Sequence, residues 1–275
     1  MDKTHPKALT VAGSDSGGGA GIQADLKTFA ALGVYGCSVI TAVTAQNTAQ
    51  VLAIELVSPQ LVRKQLEAVL EDIGPEAIKI GMLGSAANAQ VIADVLRDRG
   101  DVPLVLDPVM AAKTGDSLLP ESAVRVLRES LLPLAELITP NIPETEALTG
   151  MRLKSEADFE SAARLLSDMG ARAVLVKGGH HSPVLASDGT QEVVDVLYAG
   201  GSFHRISGPY IDTRHTHGTG CTLSAAITAG LSRNMDLLSA VSAAREYLSQ
   251  ALRAAFPVGH GISPVHHFHA FWKTL

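Results

Sequence analysis

Two cysteines, Cys37 and Cys221, are all that a chain of 275 residues contains. They cannot make a disulfide framework, and so few thiols in a chain this long point to a reducing compartment. Basic runs are equally scarce. Nowhere do four Lys or Arg follow one another, and 22 basic against 28 acidic residues leave a formal net charge of -6. That balance argues against a nucleic-acid surface, whose footprint is a basic stripe. An anionic ligand must then be held by local devices, such as loop amides and a metal ion. Long apolar runs are missing too, because Gly, Pro or a charge interrupts each one before it reaches the length of a membrane span. The start, Met1-Asp2-Lys3-Thr4-His5-Pro6, lacks the apolar core and the small-residue cleavage site of a secretory leader. These absences predict a soluble, cytoplasmic protein without nucleic-acid or membrane partners. No linker, low-complexity tract or internal repeat divides the chain, so one domain over 1–275 is expected.

With 46% hydrophobic and 18% charged residues, the chain has the apolar content for a sizeable core. Short apolar runs alternate with segments of helical period. A strand over 8–12 ends at Gly13, a helix covers 21–32, and 39–43 is a second β-branched run. Ser58 caps a helix over 59–73, with Pro59 in its first turn. Leu61, Val62, Leu66, Val69, Leu70 and Ile73 share one face of it, and Gly74 stops it. Strands at 77–80 and 104–106 flank a helix over 88–97. The second half repeats the scheme with a helix over 121–132, a strand over 137–139, and a helix opened by Ser155 with Asp158 at capping-box spacing. A strand over 173–176 follows, then two less regular strands between 184 and 205, and helices over 222–231 and 237–255. This βαβα order predicts an α/β fold with a mostly parallel sheet between helix layers.

Ligands of open α/β sheets bind beyond the carboxyl ends of the strands. Gly13-Ser14-Asp15-Ser16-Gly17-Gly18-Gly19-Ala20-Gly21 follows the first strand. Asp107-Pro108-Val109-Met110, Pro140-Asn141-Ile142-Pro143-Glu144 and Lys177-Gly178-Gly179-His180 follow the strands at 104–106, 137–139 and 173–176. The first loop is not a dinucleotide fingerprint. Counted from Gly17 or Gly19, no third glycine falls in place, and the second strand runs into Ala45-Gln46-Asn47 rather than an acidic residue. Nor is it a P-loop, since no Gly-Lys-Ser/Thr follows. A tight turn and a ligand contact both suit it.

The loop His217-Gly218-Thr219-Gly220-Cys221 says more. Two glycines directly before a helix free successive N–H groups to face an anion, where the helix dipole also favours negative charge. Cys221 at that terminus is expected to have a depressed pKa and to be usable as a base or nucleophile. A buried, apolar cysteine is the plainer alternative, and the flanking glycines weigh against it. Cys37 has no such setting and reads as core. Asn141 and Glu144 stand one helical turn apart and suit simple capping. With Asp107 and Lys177 at neighbouring strand ends, they complete what phosphoryl transfer needs: Mg2+ ligation, charge neutralisation and an anion cradle. The tail histidines His260, His266, His267 and His269 match no standard zinc spacing and read as packing.

Together these motifs resemble a known family. Ala12-Gly13-Ser14-Asp15-Ser16, Gly19-Ala20-Gly21-Ile22-Gln23-Ala24-Asp25-Leu26-Lys27-Thr28, Thr44-Ala45-Gln46-Asn47-Thr48 and Lys79-Ile80-Gly81-Met82-Leu83 are similar to the hydroxymethylpyrimidine/phosphomethylpyrimidine kinases of thiamine biosynthesis. So are Leu106-Asp107-Pro108-Val109-Met110, Thr139-Pro140-Asn141, Lys177-Gly178-Gly179-His180, Thr216-His217-Gly218-Thr219-Gly220-Cys221-Thr222-Leu223 and the tail from Gly259 to His269. The resemblance runs nearly end to end. It implies the ribokinase-like three-layer α/β/α sandwich with a central, mostly parallel sheet, and a homodimer. It also implies two ATP-dependent steps, in which 4-amino-5-hydroxymethyl-2-methylpyrimidine becomes its monophosphate and then its pyrophosphate.

By motif position, the resemblance implies that Gln46 bonds the aminopyrimidine while Gly13, Met82 and Val109 line its pocket. Asp25 would lie at the substrate end, where the second phosphorylation adds charge. Asn141, Asp107 and Glu144 would serve the Mg2+–phosphate region, with Glu144 and Asp107 meeting Mg2+ directly or through water, and Lys177 would meet the nucleotide phosphates. The amides of Gly218, Thr219, Gly220 and Cys221 would form an anion hole, with Cys221 facing the attacking hydroxyl. Two positions depart from the family pattern. Gly17 stands where serine is usual, and Thr44 where an apolar residue is frequent. Many relatives on this fold carry Asp where Cys221 stands, which turns the reading away from sugar and nucleoside kinases. The rivals are a pyridoxal or pyridoxine kinase and a non-catalytic pyrimidine-binding regulatory module.

Overall fold

Successive residues of a strand point to opposite faces, and here both faces are buried. Leu104, Leu106, Ile138, Val174 and Val176 belong to one apolar core. Val105, Leu137, Ala173 and Leu175, which alternate with them, belong to another. A sheet with a core on each side must lie between two helix layers. The computed structural model describes residues 5–111, 118–179 and 183–272. Among these, the strands are β1 (Lys7–Asp15), β2 (Tyr35–Gln46), β3 (Val51–Leu56), β4 (Ala77–Ile80), β5 (Leu104–Leu106), β6 (Leu137–Ile138), β7 (Ala173–Val176), β8 (Val184–Leu185), β9 (Gln191–Ala199) and β10 (Ser202–Pro209). They form one sheet in the order β10-β9-β7-β6-β5-β4-β1-β2-β3, with β8 paired to β9. Pairs from β2 through β1 and β4 to β7 are parallel. The margins, β2 with β3 and β7 with β9 and β10, are antiparallel.

The helices are α1 (Gly21–Ala31), α2 (Pro59–Asp72), α3 (Ala86–Leu96), α4 (Glu121–Val126), α5 (Ile142–Thr149), α6 (Glu156–Asp168), α7 (Thr219–Ser232) and α8 (Leu237–Arg253). Apolar residues of α2 to α6 pack into the first core, for instance Val62, Ile92 and Phe159. Those of α7 and α8, such as Ile227 and Leu248, pack into the second, and α1 joins α7 through Phe29 beside Ala225 and Ala229. This is the three-layer α/β/α arrangement.

Three differences from the sequence expectation have local causes. β3 is an edge strand with five of its six residues exposed, so no burial pattern marks it, and pairing to β2 alone sets its conformation. α5 has eight residues, two turns that are too short to show a period. The helix expected over 121–132 is regular only as far as Val126. A π turn (Leu127–Leu131) and a 3-10 turn (Leu132–Leu134) follow, because Pro133 has no N–H to continue the ladder. Beyond β7, three strands stand where two were expected. Ser58 caps α2 and accepts from Leu61 N, and Ser155 with Asp158 forms the expected capping box of α6.

Candidate active site

β1 is flanked by β4 and β2, so the chain winds away from it in both directions, and the sheet opens a crevice at that switch. A cleft of about 810 Å³ runs there along the carboxyl ends of the strands. Gly13, Gln46, Met82 and Val109 line one part of it. Asp107, Asn141, Glu144, Lys177 and Gly218 to Cys221 line another. Twelve of the thirteen residues singled out from the sequence thus converge on one cleft, although 208 positions separate the first from the last.

The charged end of the cleft is built around Asp107, directly after β5. Its Oδ1 accepts from Lys177 Nζ at 3.0 Å and from Thr139 Oγ1 at 3.3 Å, and its Oδ2 accepts from Ser224 Oγ at 3.1 Å. Burial alone raises its carboxyl, but Lys177 and Lys79 outweigh that and hold it below the usual carboxylate range. Asn141 caps α5. Its Oδ1 accepts from Glu144 N at 2.9 Å, and Glu144 Oε2 accepts from Asn141 N at 2.8 Å. The capping reading of this pair is therefore correct, and it also fixes both side chains in the cleft wall. Burial, with the neighbouring Asp107 carboxylate, pushes Glu144 up to about 7, against Lys177 and the amides of Asn141 and Met110.

Gly218 is the left-handed N-cap of α7, at φ 76. A side chain there would also collide with Gly19 O, 1.9 Å from where its Cβ would sit. The helix therefore starts at Thr219, three residues earlier than expected, and its first residues line the cleft together with Lys177 and Asp107. A Cβ on Gly220 would stand 3.3 Å from Lys177 Nζ and 3.8 Å from Asp107 Oδ2.

Two expectations are overturned. The Cys221 thiol is not depressed. Burial pushes it up to about 11, with the Asp25 and Asp107 carboxylates adding to the rise, and Lys79 and the Gly21 amide only partly oppose it. The thiol is only partly exposed at the cleft wall, where a thiolate is poorly solvated. Asp25 does not line the cleft. It is fully buried under the loop, accepting from Lys79 Nζ at 2.8 Å and from Thr10 Oγ1 at 2.6 Å. Thr10 and Lys79 are register partners on β1 and β4, and α1 lays Asp25 across both. Its charge is matched by Lys79 inside the fold.

Residues to which the sequence alone assigned no role complete the cleft. Lys79 lines its floor, and its presence inside the wholly buried strand Ala77–Ile80 was a readable signal. Burial works to lower its pKa, yet Asp25 and Asp107 hold it above the ordinary lysine value. Asp15 ties down the glycine loop by accepting from the amides of Gly17, Gly19 and Ala20. His217 Nε2 lies 3.0 Å from Asp15 Oδ2. At the far end, Asp195 accepts from Gly178 N at 2.8 Å and faces Arg245 at 3.8 Å. In the tail, His267 is buried and bonds Thr222 Oγ1 at 3.1 Å, while His266 packs edge-on against Phe256. Packing is thus what these two do. Among the described residues no group of three or more His, Cys, Asp or Glu is placed to hold a metal. His180 lies outside the described residues. No helix among them is long and apolar enough to cross a membrane.

The family model for phosphomethylpyrimidine kinase matches residues 15–266. A hydroxymethylpyrimidine/phosphomethylpyrimidine kinase of Rhizobium meliloti is 51% identical over 269 residues, covering 97% of this chain and 98% of that protein. Among solved structures, Bacillus subtilis pyridoxal kinase bound to ADP superposes with a TM-score of 0.88 at 36% identity, over 98% of this chain and 100% of that one. Clostridium difficile phosphomethylpyrimidine kinase does so with a TM-score of 0.78 at 42% identity, over 90% of this chain and 99% of that one. The chain belongs to the phosphomethylpyrimidine kinase family.

Proposed function

We propose that this cleft binds 4-amino-5-hydroxymethyl-2-methylpyrimidine beside Mg2+-ATP and phosphorylates it to the monophosphate, then extends that to the pyrophosphate, for thiamine biosynthesis. One observation carries the reading. A polar amide, Gln46, stands among Gly13, Met82 and Val109 in the same cleft as the charged cluster Lys177–Asp107 and the first turn of α7. That is a heteroaromatic seat beside an anion seat.

Asp107 and Glu144 supply hard oxygen ligands with no closed cage around them, which suits a Mg2+ ion carried in on phosphates. Bound with the nucleotide, that ion would neutralise phosphate charge. The protein's own share is position and fixed charge, as a loose phosphoryl transfer requires. Lys177 Nζ, held by Asp107, meets the phosphate oxygens. The amides at the start of α7 lie where negative charge accumulates on the transferring group and cost no reorganisation. Cys221 contributes its backbone N–H, and its protonated thiol faces the hydroxymethyl group.

Pyridoxal is the second reading, favoured by the likeness to the Bacillus subtilis enzyme. The intact set Asp107, Asn141, Glu144, Lys177 and Gly218 to Cys221 argues against a module without catalysis. ATP consumption measured in parallel with hydroxymethylpyrimidine and with pyridoxal tests the assignment. Faster turnover on pyridoxal at equal concentration would overturn it. The homodimer belongs to the same reading. Exposed Leu52, Ile54 and Leu56 on the β3 edge support it, and sedimentation equilibrium decides it.

A further inference from the structure

Lys177 stands where β7 parts from its antiparallel neighbour. The ladder between the two strands ends with Val176 opposite Val196, and β9 extends further on that side, from Gln191 to Asp195. The N–H of Lys177 turns the other way and donates to Pro140 O at 2.9 Å, where Lys177 pairs with Asn141 in a parallel bridge beyond β6. The next N–H, that of Gly178, donates to Asp195 Oδ1 at 2.8 Å, a side-chain acceptor rather than a strand carbonyl. Only glycine fits at that position, because a Cβ would collide with Val194 O. Each peptide unit is planar, so a bond to its N–H orients the whole unit. Pro140 holds the unit before Lys177 and Asp195 holds the unit after it, which sets both backbone torsions of the lysine. Its Cα–Cβ bond then leaves in one direction. For a flexible four-carbon stem that start is decisive. The ammonium ends 3.0 Å from Asp107 Oδ1, on a side chain 12% exposed.

Stability does not explain a carboxylate here. Asp195 is buried, and its one cationic neighbour with an ion-pair contact, Arg245 of α8, faces the other oxygen, Oδ2, at 3.8 Å. That is beyond hydrogen-bond reach. Arg245 Nε is itself buried with no partner among the described residues, although Gly208 of β10 makes room for it: a Cβ there would stand 2.7 Å from Nε. Burial raises the Asp195 carboxyl above the usual carboxylate range, and Arg245 and the Gly178 amide only partly oppose this. A loose pair of this kind returns little of what its desolvation costs. What Asp195 does hold at good geometry is the amide beside Lys177.

We infer that Asp195 is a positioning residue for Lys177: by accepting from the Gly178 N–H, it fixes the backbone from which the ammonium meets the nucleotide phosphates. It acts through that amide and not on the reacting groups. The inference rests on the kinase reading of the cleft, which gives Lys177 a phosphate to meet.

The test compares Asp195→Asn with Asp195→Val in the full chain. Both remove the charge that faces Arg245, so the difference between them isolates the acceptor. Asn keeps an oxygen of the same reach, and the amide at 2.8 Å holds it, because the guanidinium at 3.8 Å is too far to compete. Val suits a strand but leaves the amide unpaired. Turnover is followed against ATP concentration with saturating 4-amino-5-hydroxymethyl-2-methylpyrimidine, and pyrimidine affinity by calorimetry without nucleotide. Asp195→Asn should keep kcat/KM for ATP within about threefold of the unsubstituted protein, and Asp195→Val should lower it about 10–100-fold, the loss that a misplaced partner brings. Pyrimidine affinity should stay within about twofold in both, since Lys177 meets the nucleotide. A Val variant within about threefold of the Asn variant, or an Asn variant that falls as far as Val, would refute positioning through the amide and leave the functional reading standing. So would pyrimidine affinity that falls in step with ATP turnover, the mark of a general loss of structure. If Asp195→Val shows no cooperative thermal transition, Asp195→Ala takes its place under the same criteria. An unsubstituted protein that consumes ATP with neither hydroxymethylpyrimidine nor pyridoxal would instead overturn the functional reading, and the inference with it.

Discussion

Glu144 is a carboxyl placed where function and stability pull in opposite directions. It is buried beside Asp107, and its folded-state pKa of about 7 lies above the ordinary glutamate value of 4.5. Between those values the folded protein binds more protons at this site than the unfolded chain does, so the site's contribution to stability falls as pH rises. It is fully present below the unfolded pKa and is lost as pH rises through 7. Each pKa unit corresponds to about 1.4 kcal/mol, so between pH 5 and pH 8 the loss is about 2–3 kcal/mol. Glu144→Gln removes the ionisation and keeps an oxygen able to accept from Asn141 N, the 2.8 Å half of the capping box. Urea denaturation of both proteins, without nucleotide or Mg2+, should show the variant gaining about 2–3 kcal/mol relative to the parent between pH 5 and pH 8. Titrating groups that do not interact with Glu144 cancel in that difference. A gap between the two proteins that stays constant within about 0.5 kcal/mol over the same range would refute the reasoning. The same substitution removes an ionic oxygen from the charged end of the cleft. It should raise the Mg2+ concentration needed for half-maximal turnover and leave pyrimidine affinity nearly unchanged. Superimposable Mg2+ titrations would reduce Glu144 to a helix cap.

Three further outcomes follow from the same contacts. Asp25→Asn or Lys79→Met strands one charge of a fully buried pair, and each should cost about 3–5 kcal/mol in denaturation experiments. A loss below about 1 kcal/mol would mean that water reaches the pair. Because burial raises Cys221 to about 11, thiolate is scarce at pH 7, and Cys221→Ser should keep turnover within about tenfold. A fall of about 10²–10⁴-fold would restore the general base. Gln46→Leu should weaken pyrimidine binding far more than ATP binding. Unchanged pyrimidine affinity by calorimetry would remove Gln46 from the seat.

Local patterns carried most of the fold. The alternation of buried apolar runs with amphipathic stretches marked seven helices and the parallel centre of the sheet, because those elements are written in a burial period. Ser58, Ser155 and Asp158 marked helix starts through hydrogen bonds that span only three residues. Elements with no burial period were harder to read: the exposed edge strand β3 left no mark, and the two-turn α5 left only its capping pair, Asn141 and Glu144. Most of the site residues could be read one strand end at a time, since Gly13, Gln46, Asp107, Asn141 and Lys177 lie at or just beyond one, and the rule that ligands sit at those ends gathered them before any coordinates did.

Chemistry that depends on pairs distant in the chain could not be read that way. Asp25 carries the same carboxylate in any sequence. Only the register that sets Thr10 beside Lys79, with α1 above them, makes it a sealed ion pair rather than a substrate contact. Cys221 stands at a helix start in the sequence and in the structure. Its pKa is nonetheless set by burial and by Asp25 and Asp107, both more than a hundred positions away. Asp15, Thr44 and His217 meet around Gln46 only because β1, β2 and the loop before α7 end at the same rim. Sequence by itself determined which residue types stand at the strand ends. Tertiary structure decided their charge, exposure and orientation, because desolvation and hydrogen bonding act through space, between groups that the chain order keeps apart.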